Sequence, residues 1–116
     1  MKNYRKYIHI FPPEVLDKWI VYVWWRVDHA LYVGQTKNIR SRFGTCHHHV
    51  LDRKASLLPE DVLEVYVTTK PRELEKEFVI YLRPKLNMRH PWFPDKQPRW
   101  QKPKPDYVLP IGEHYF

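Results

Sequence analysis

The sequence predicts an α+β domain in which a two-stranded hairpin and a later third strand are combined with two helices. Three observations carry that prediction. An apolar run rich in β-branched and aromatic residues starts at Val21, breaks at Asp28-His29 and is followed by a second such run ending at Gly34, the pattern of strand, turn, strand. The run from Val62 to Thr69 alternates and is again β-branched, as a half-buried strand does. Two further segments, after Thr36 and after Pro71, carry apolar residues at helical rather than strand spacing.

Residues 1–19 mix aromatic and basic side chains and include Pro12-Pro13, which reads as an arm leading into a short helical turn over Glu14 to Trp19. In the hairpin, alternation sets Tyr22, Trp24 and Arg26 on one face and Val21, Val23 and Trp25 on the other. Along the second strand Tyr32 shares a face with Ala30 and Gly34, so two tyrosines can meet on one face. Thr36 suits the N-cap of a helix through about Val50, with Ile39, Phe43, Cys46 and Val50 as its apolar stripe and Arg42 where helix meets sheet. Residues 51–61 are a polar connecting loop, and Pro71 opens the second helix, its fixed φ being suited to a first turn.

A chain of 116 residues with 43% hydrophobic and 16% aromatic content suits one domain with one core, here 1–116. The formal charge of +7 favours a polyanionic partner, nucleic acid above all. A single cysteine, Cys46, excludes an intrachain disulfide framework and fits a reducing compartment. The apolar stretches fall short of the roughly 20 residues that span a bilayer, and the basic start leads into no signal-peptide core. A cytoplasmic protein is therefore expected.

Within the second helix, Leu74, Phe78, Val79, Tyr81 and Leu82 sweep out an apolar arc at roughly 100° per residue. Glu75 falls inside that arc, whereas Glu73 and Glu77 project away from it. A carboxylate on a buried face must be paired or bind a cation, so Glu75 is either a snorkelling or salt-bridged residue or a ligand. Seven of the 11 prolines lie from Pro84 onward, interleaved with aromatic and basic residues such as Trp92, Arg99, Trp100 and Lys102. This predicts an extended C-terminal strap over 89–116 whose aromatics either pack on the domain or offer a stacking surface to single-stranded nucleic acid.

Taken together, Val-Tyr-Val at 21–23, Tyr-Val-Gly at 32–34, Arg42, and Glu75 in a segment closing on Pro84-Lys85-Leu86-Asn87 resemble the GIY-YIG nuclease superfamily. Tyr22, Tyr32 and Arg42 stand ten positions apart in turn, and Glu75 lies nine before Pro84, both as in that family. The resemblance covers about residues 20–88 and departs from the family at Val21, where a glycine is usual, and at Cys46, where many members carry histidine. His47 or His49 could stand in for that histidine.

The resemblance implies an α/β sandwich, a small three-stranded antiparallel sheet flanked by helices with a nuclease site on one sheet face. It implies a metal-dependent endonuclease hydrolysing phosphodiester bonds in DNA. Glu75 would hold one divalent ion, Mg²⁺ or Mn²⁺, that keeps most of its waters. Arg42 would grip phosphate oxygens with its fork of donors. One tyrosine, here Tyr22, would be the general base, its pKa lowered from about 10 by nearby cations, with Tyr32 orienting water or phosphate. Lys37, Arg40, His47 and His49 would line the phosphate path and Trp100 would stack a base. Cys46-His47-His48-His49 fans out around a helix, so at most Cys46 and His49 could share a metal, and zinc is not expected. The competing class is a nucleic-acid-binding module that keeps the fold without cutting, as a subunit that places a partner. Loss of Tyr22, Arg42 or Glu75 would favour it, and all three are present.

Overall fold

The computed structural model describes residues 12–15, 17–37, 58–87 and 100–111. Four strands form one antiparallel sheet: β1 (Ile20–Arg26), β2 (His29–Thr36), β3 (Asp61–Val67) and β4 (Tyr107–Leu109), in the order β2-β1-β3-β4. One helix, α1 (Pro71–Leu82), follows β3. The α+β class is as expected, with a fourth strand where three were expected. β4 comes from the proline-rich strap, and its position explains why proline spacing hid it. It is a three-residue strand between Pro105 and Pro110, paired on one side only, and an edge strand tolerates flanking residues that cannot donate to a ladder.

The first 3₁₀ turn, Pro13–Val15, is shorter than the helical turn expected over Glu14 to Trp19. The helix expected from Thr36 to Val50, with Arg40, Arg42, Cys46, His47 and His49, lies outside the described residues, as do Trp92 and Arg99. Thr36 itself is the buried last residue of β2.

The β1–β2 hairpin turns on two residues, Val27-Asp28, with Val27 in the left-handed region at φ 59°. The register slips between Trp24 and Trp25, so that Trp24 faces Tyr32 while Trp25 faces Ala30, leaving Leu31 as the extra residue. This bulge corrects the alternation expected for β2. Ala30 lies with Val21, Val23 and Val33 on the face covered by α1, while Tyr32 lies with Tyr22 and Trp24 on the other. Simple period-two counting fails at one inserted residue.

The two faces carry separate apolar clusters. Against α1, Val21, Val23, Val33 and Tyr66 pack with Phe78 and Val79. On the opposite face Ile20, Tyr22, Trp24, Leu63 and Val65 pack with Val15, Leu109 and Ile111. Pro71 occupies the first helical turn, and the Lys70 N–H, just ahead of it, donates to Thr68 Oγ1 at 2.9 Å. Arg83, left-handed at φ 50°, ends the helix by returning its N–H to the Val79 carbonyl, and Pro84 prevents continuation. Among the described residues no helix is long and apolar enough to cross a membrane.

Candidate active site

Tyr22 and Tyr32 meet as the hairpin register requires, with ring centroids 6.2 Å apart and planes tilted by 39°. Tyr22 is fully buried and Tyr32 half-buried. Gly34 stands directly across the ladder from Tyr22. A Cβ at position 34 would lie 2.5 Å from Tyr22 Oη, 2.6 Å from its Cζ and 3.0 Å from Tyr32 Cε2. The missing side chain is therefore the space the Tyr22 phenol occupies. That accounts physically for Tyr-x-Gly on β2 opposite a tyrosine on β1.

Glu75 reaches the same strand from the other side. It is half-buried on α1, and its Oε2 accepts a hydrogen bond of 3.0 Å from Gln35 Nε2. Glu73 is exposed, and of the three glutamates of this helix Glu75 is the one hydrogen-bonded to a strand. Because Gln35 follows Gly34, alternation sends its side chain to the α1 face. The expected site on one sheet face is thus, among the described residues, an arrangement around edge strand β2. Two tyrosines and the glycine gap lie on one face, and the carboxylate meets the strand one residue later from the other. An edge strand permits this because, among the described residues, no neighbouring strand closes its outer side. Lys37 is exposed just beyond the end of β2. Gln35, the partner of Glu75, was missed in the sequence, where its one signal is adjacency to Gly34.

Trp100 does not stand on an open surface. Its ring stacks on Tyr81 at 4.9 Å with 5° between the planes and meets Phe78 edge-on at 5.7 Å. Two residues on, Lys102 Nζ donates to Glu64 Oε1 at 3.0 Å and to Tyr66 Oη at 3.1 Å. Glu64 Oε1 also accepts from Trp25 Nε1 at 2.7 Å and from Tyr66 Oη at 2.9 Å. Burial first, and then the Glu64 carboxylate, push the Tyr66 phenol far above its ordinary value. This network ties the strap to the α1 face of the sheet. Of the two readings of the strap's aromatics, packing is the one Trp100 displays.

At the opposite end of the hairpin, Arg26 pairs with the fully buried Asp61 through two hydrogen bonds of 2.9 Å, Nε to Oδ1 and Nη2 to Oδ2. The hydrogen bond and charge of Asp61 hold Arg26 above its ordinary value against the opposing effect of burial. Its charge is committed to the fold.

The GIY-YIG catalytic domain, as a family description, matches residues 18–81, more than half of the chain and inclusive of Tyr22, Tyr32, Arg42 and Glu75. The chain belongs to the GIY-YIG family. No curated protein and no solved structure matches it. GIY-YIG domains are typically nucleases, hydrolases whose substrates are nucleic acids and which generally use divalent metal ions. Among the described residues no three His, Cys, Asp or Glu gather around one point. One half-buried carboxylate beside a neutral amide is nevertheless a donor set that Mg²⁺ accepts, since that ion is held by one or two carboxylates and retains several waters.

Proposed function

We propose that this GIY-YIG domain is a metal-dependent endonuclease that hydrolyses phosphodiester bonds in DNA, its nuclease core spanning about 20–88 within a single domain. The observation that supports this best is the meeting of the Tyr22–Tyr32–Gly34 arrangement with the Glu75 carboxylate at consecutive residues of β2. Hydrolysis needs a water nucleophile, an acceptor for its proton and positive charge on the developing phosphorane. Tyr22 takes that proton, and Tyr32 orients the water or the phosphate. Arg42 binds two phosphate oxygens with its planar fork. Glu75 holds the divalent ion, Mg²⁺ or Mn²⁺, with Gln35 fixing the orientation of its carboxylate. When bound, the ion neutralises phosphate charge and acidifies water. Lys37, Arg40, His47 and His49 supply the phosphate path. Burial of Tyr22 under Gly34 fixes the phenol, so little reorganisation remains for the reaction.

The experiment is a cleavage assay on a panel of labelled duplex, single-stranded and branched DNA and RNA, with Mg²⁺ and with EDTA. Metal-dependent cleavage that is abolished in Glu75→Ala and retained in Glu73→Ala supports the reading. Binding to nucleic acid without cleavage of any substrate under any metal condition would leave the non-cutting module in its place.

A further inference from the structure

We propose that the open end of the sheet next to this site carries a subsite for one unpaired nucleobase, stacked on Trp19 and flanked by phosphate contacts from Lys18 and Lys37. The inference rests on the nuclease reading and deepens it by naming a substrate feature, an unpaired base close to the scissile phosphate. Trp19 immediately precedes β1, and 43% of its surface is exposed, whereas its neighbour Ile20 is wholly buried. It is the one exposed aromatic residue among those described. Trp19 joins neither apolar cluster of the described residues, yet the segment that presents it is fixed. The Thr68 N–H donates to the Trp19 carbonyl at 3.1 Å, tying it to the end of β3.

Trp19 borders an open cleft of about 710 Å³ whose other walls include Lys18, Lys37, Val67, Thr68 and Thr69. An apolar ring with two ammonium groups and hydroxyl-bearing residues around it suits the alternation of base and phosphate in a nucleic-acid strand. Asp17 also lies on the rim, so the cleft keeps a net charge of one positive among these residues, and the ring rather than charge must supply selectivity. Position connects the cleft to the site. Lys37 is two residues beyond Gln35, and Thr69 is two residues before Pro71, where the helix bearing Glu75 begins. A strand whose base lies on Trp19 therefore passes the edge of β2. Paired bases are already stacked and offer no free face to an indole, so the subsite distinguishes an unpaired nucleotide from duplex.

The test uses the full chain in EDTA, with labelled twelve-nucleotide oligo-dT and oligo-U and a blunt DNA hairpin as probes, followed by fluorescence anisotropy. Base–aromatic stacking of roughly 1–3 kcal/mol corresponds to a loss of about five- to 150-fold in single-strand affinity for Trp19→Ala, with less than about a twofold change for the hairpin. Trp19→Phe, which keeps a π-face, retains most of the affinity. The melting temperature of Trp19→Ala stays close to wild type because Trp19 belongs to neither apolar cluster of the described residues. Lys18→Ala with Lys37→Ala makes the salt dependence of single-strand binding shallower by about 0.7 per charge removed. Unchanged single-strand binding in Trp19→Ala, or an equal loss on hairpin and single strand, overturns the subsite. If metal-dependent cleavage persists in either case, the subsite fails alone, whereas a wild-type chain that neither binds nor cuts any probe removes the nuclease reading beneath it as well.

Discussion

Gly34 lies so close beneath Tyr22 that a single added methyl group would meet the phenol oxygen at 2.5 Å. Tyr22 is only 1% exposed, so its ring has little room into which to retreat. Gly34→Ala is expected to cost about 1–3 kcal/mol in stability through overpacking. On the proposed role of Tyr22 as proton acceptor, a displacement of about 1 Å is worth roughly 10²-fold in rate, and cleavage is expected to fall by that order. Urea unfolding and single-turnover cleavage measure the two effects. A variant as stable and as active as wild type would show that the tyrosine is not held by this gap.

The hydrogen bond from Gln35 to Glu75 gives a second prediction, about how the carboxylate is held. Partners that orient a metal ligand are worth roughly 10–100-fold in metal affinity. On the proposed role of Glu75 as the metal ligand, Gln35→Ala is therefore expected to raise the Mg²⁺ concentration for half-maximal cleavage by about that factor while leaving the rate at saturating Mg²⁺ much closer to wild type. Nucleic-acid binding in EDTA should not change. An unchanged Mg²⁺ requirement would make Gln35 a bystander.

The fold and the candidate site were legible in the sequence to different depths. Strand alternation found β1 and β3, and Pro71 with the apolar arc found α1, because each element buries one face and repeats at its own period. The same periodicity singled out Glu75 from the exposed Glu73, whereas Glu77, expected to project away as well, is half-buried like Glu75. It failed at Leu31, where one inserted residue reverses which face Ala30 occupies, and at β4, where three residues between prolines are too short to show a period. Gln35 was invisible for another reason. Its role depends on the docking of α1 against β2, a long-range relation that no local pattern encodes. The strap's aromatics stay open in the sequence because stacking and packing use the same residues; for Trp100 alone, the Tyr81 ring beneath it gives a packing partner, while Trp92 lies outside the described residues.

A buried carboxylate fixes a third expectation. Asp61 is inaccessible to solvent, while its partner Arg26 is about one quarter exposed at 23%. Removing the cation strands a charge that cannot reach water, so Arg26→Ala should destabilise the chain by about 3 kcal/mol. The double variant Arg26→Ala with Asp61→Ala should recover part of that loss, because the stranded charge is then gone. A single Arg26→Ala change costing under about 1 kcal/mol in urea unfolding would mean that the pair behaves as an ordinary surface ion pair.

The last prediction concerns the junction of strap and sheet at alkaline pH. Tyr66 is 3% exposed, donates to Glu64 and is held by burial and by that carboxylate far above the usual phenol value of about 10. Its sign follows from proton counting. Above about pH 10 the unfolded chain releases the Tyr66 proton while the folded chain keeps it, so the folded state binds more protons and stability falls as pH rises. The contribution is complete below the unfolded value and is lost progressively above it, at up to about 1.4 kcal/mol per pH unit for one group. Tyr66→Phe has no proton to lose. It should be less stable than wild type near neutrality by about 1 kcal/mol, the typical net worth of a hydrogen bond, and should decline less steeply beyond pH 10. Every other group is present in both proteins, so the informative quantity is the difference between the two stability curves. Urea midpoints taken from pH 8 to pH 11 should converge as pH rises. Parallel curves over that range would show that the Tyr66 phenol ionises equally in folded and unfolded chains, and the network joining Glu64, Tyr66 and Lys102 would then lose its role as a buried clamp on the strap.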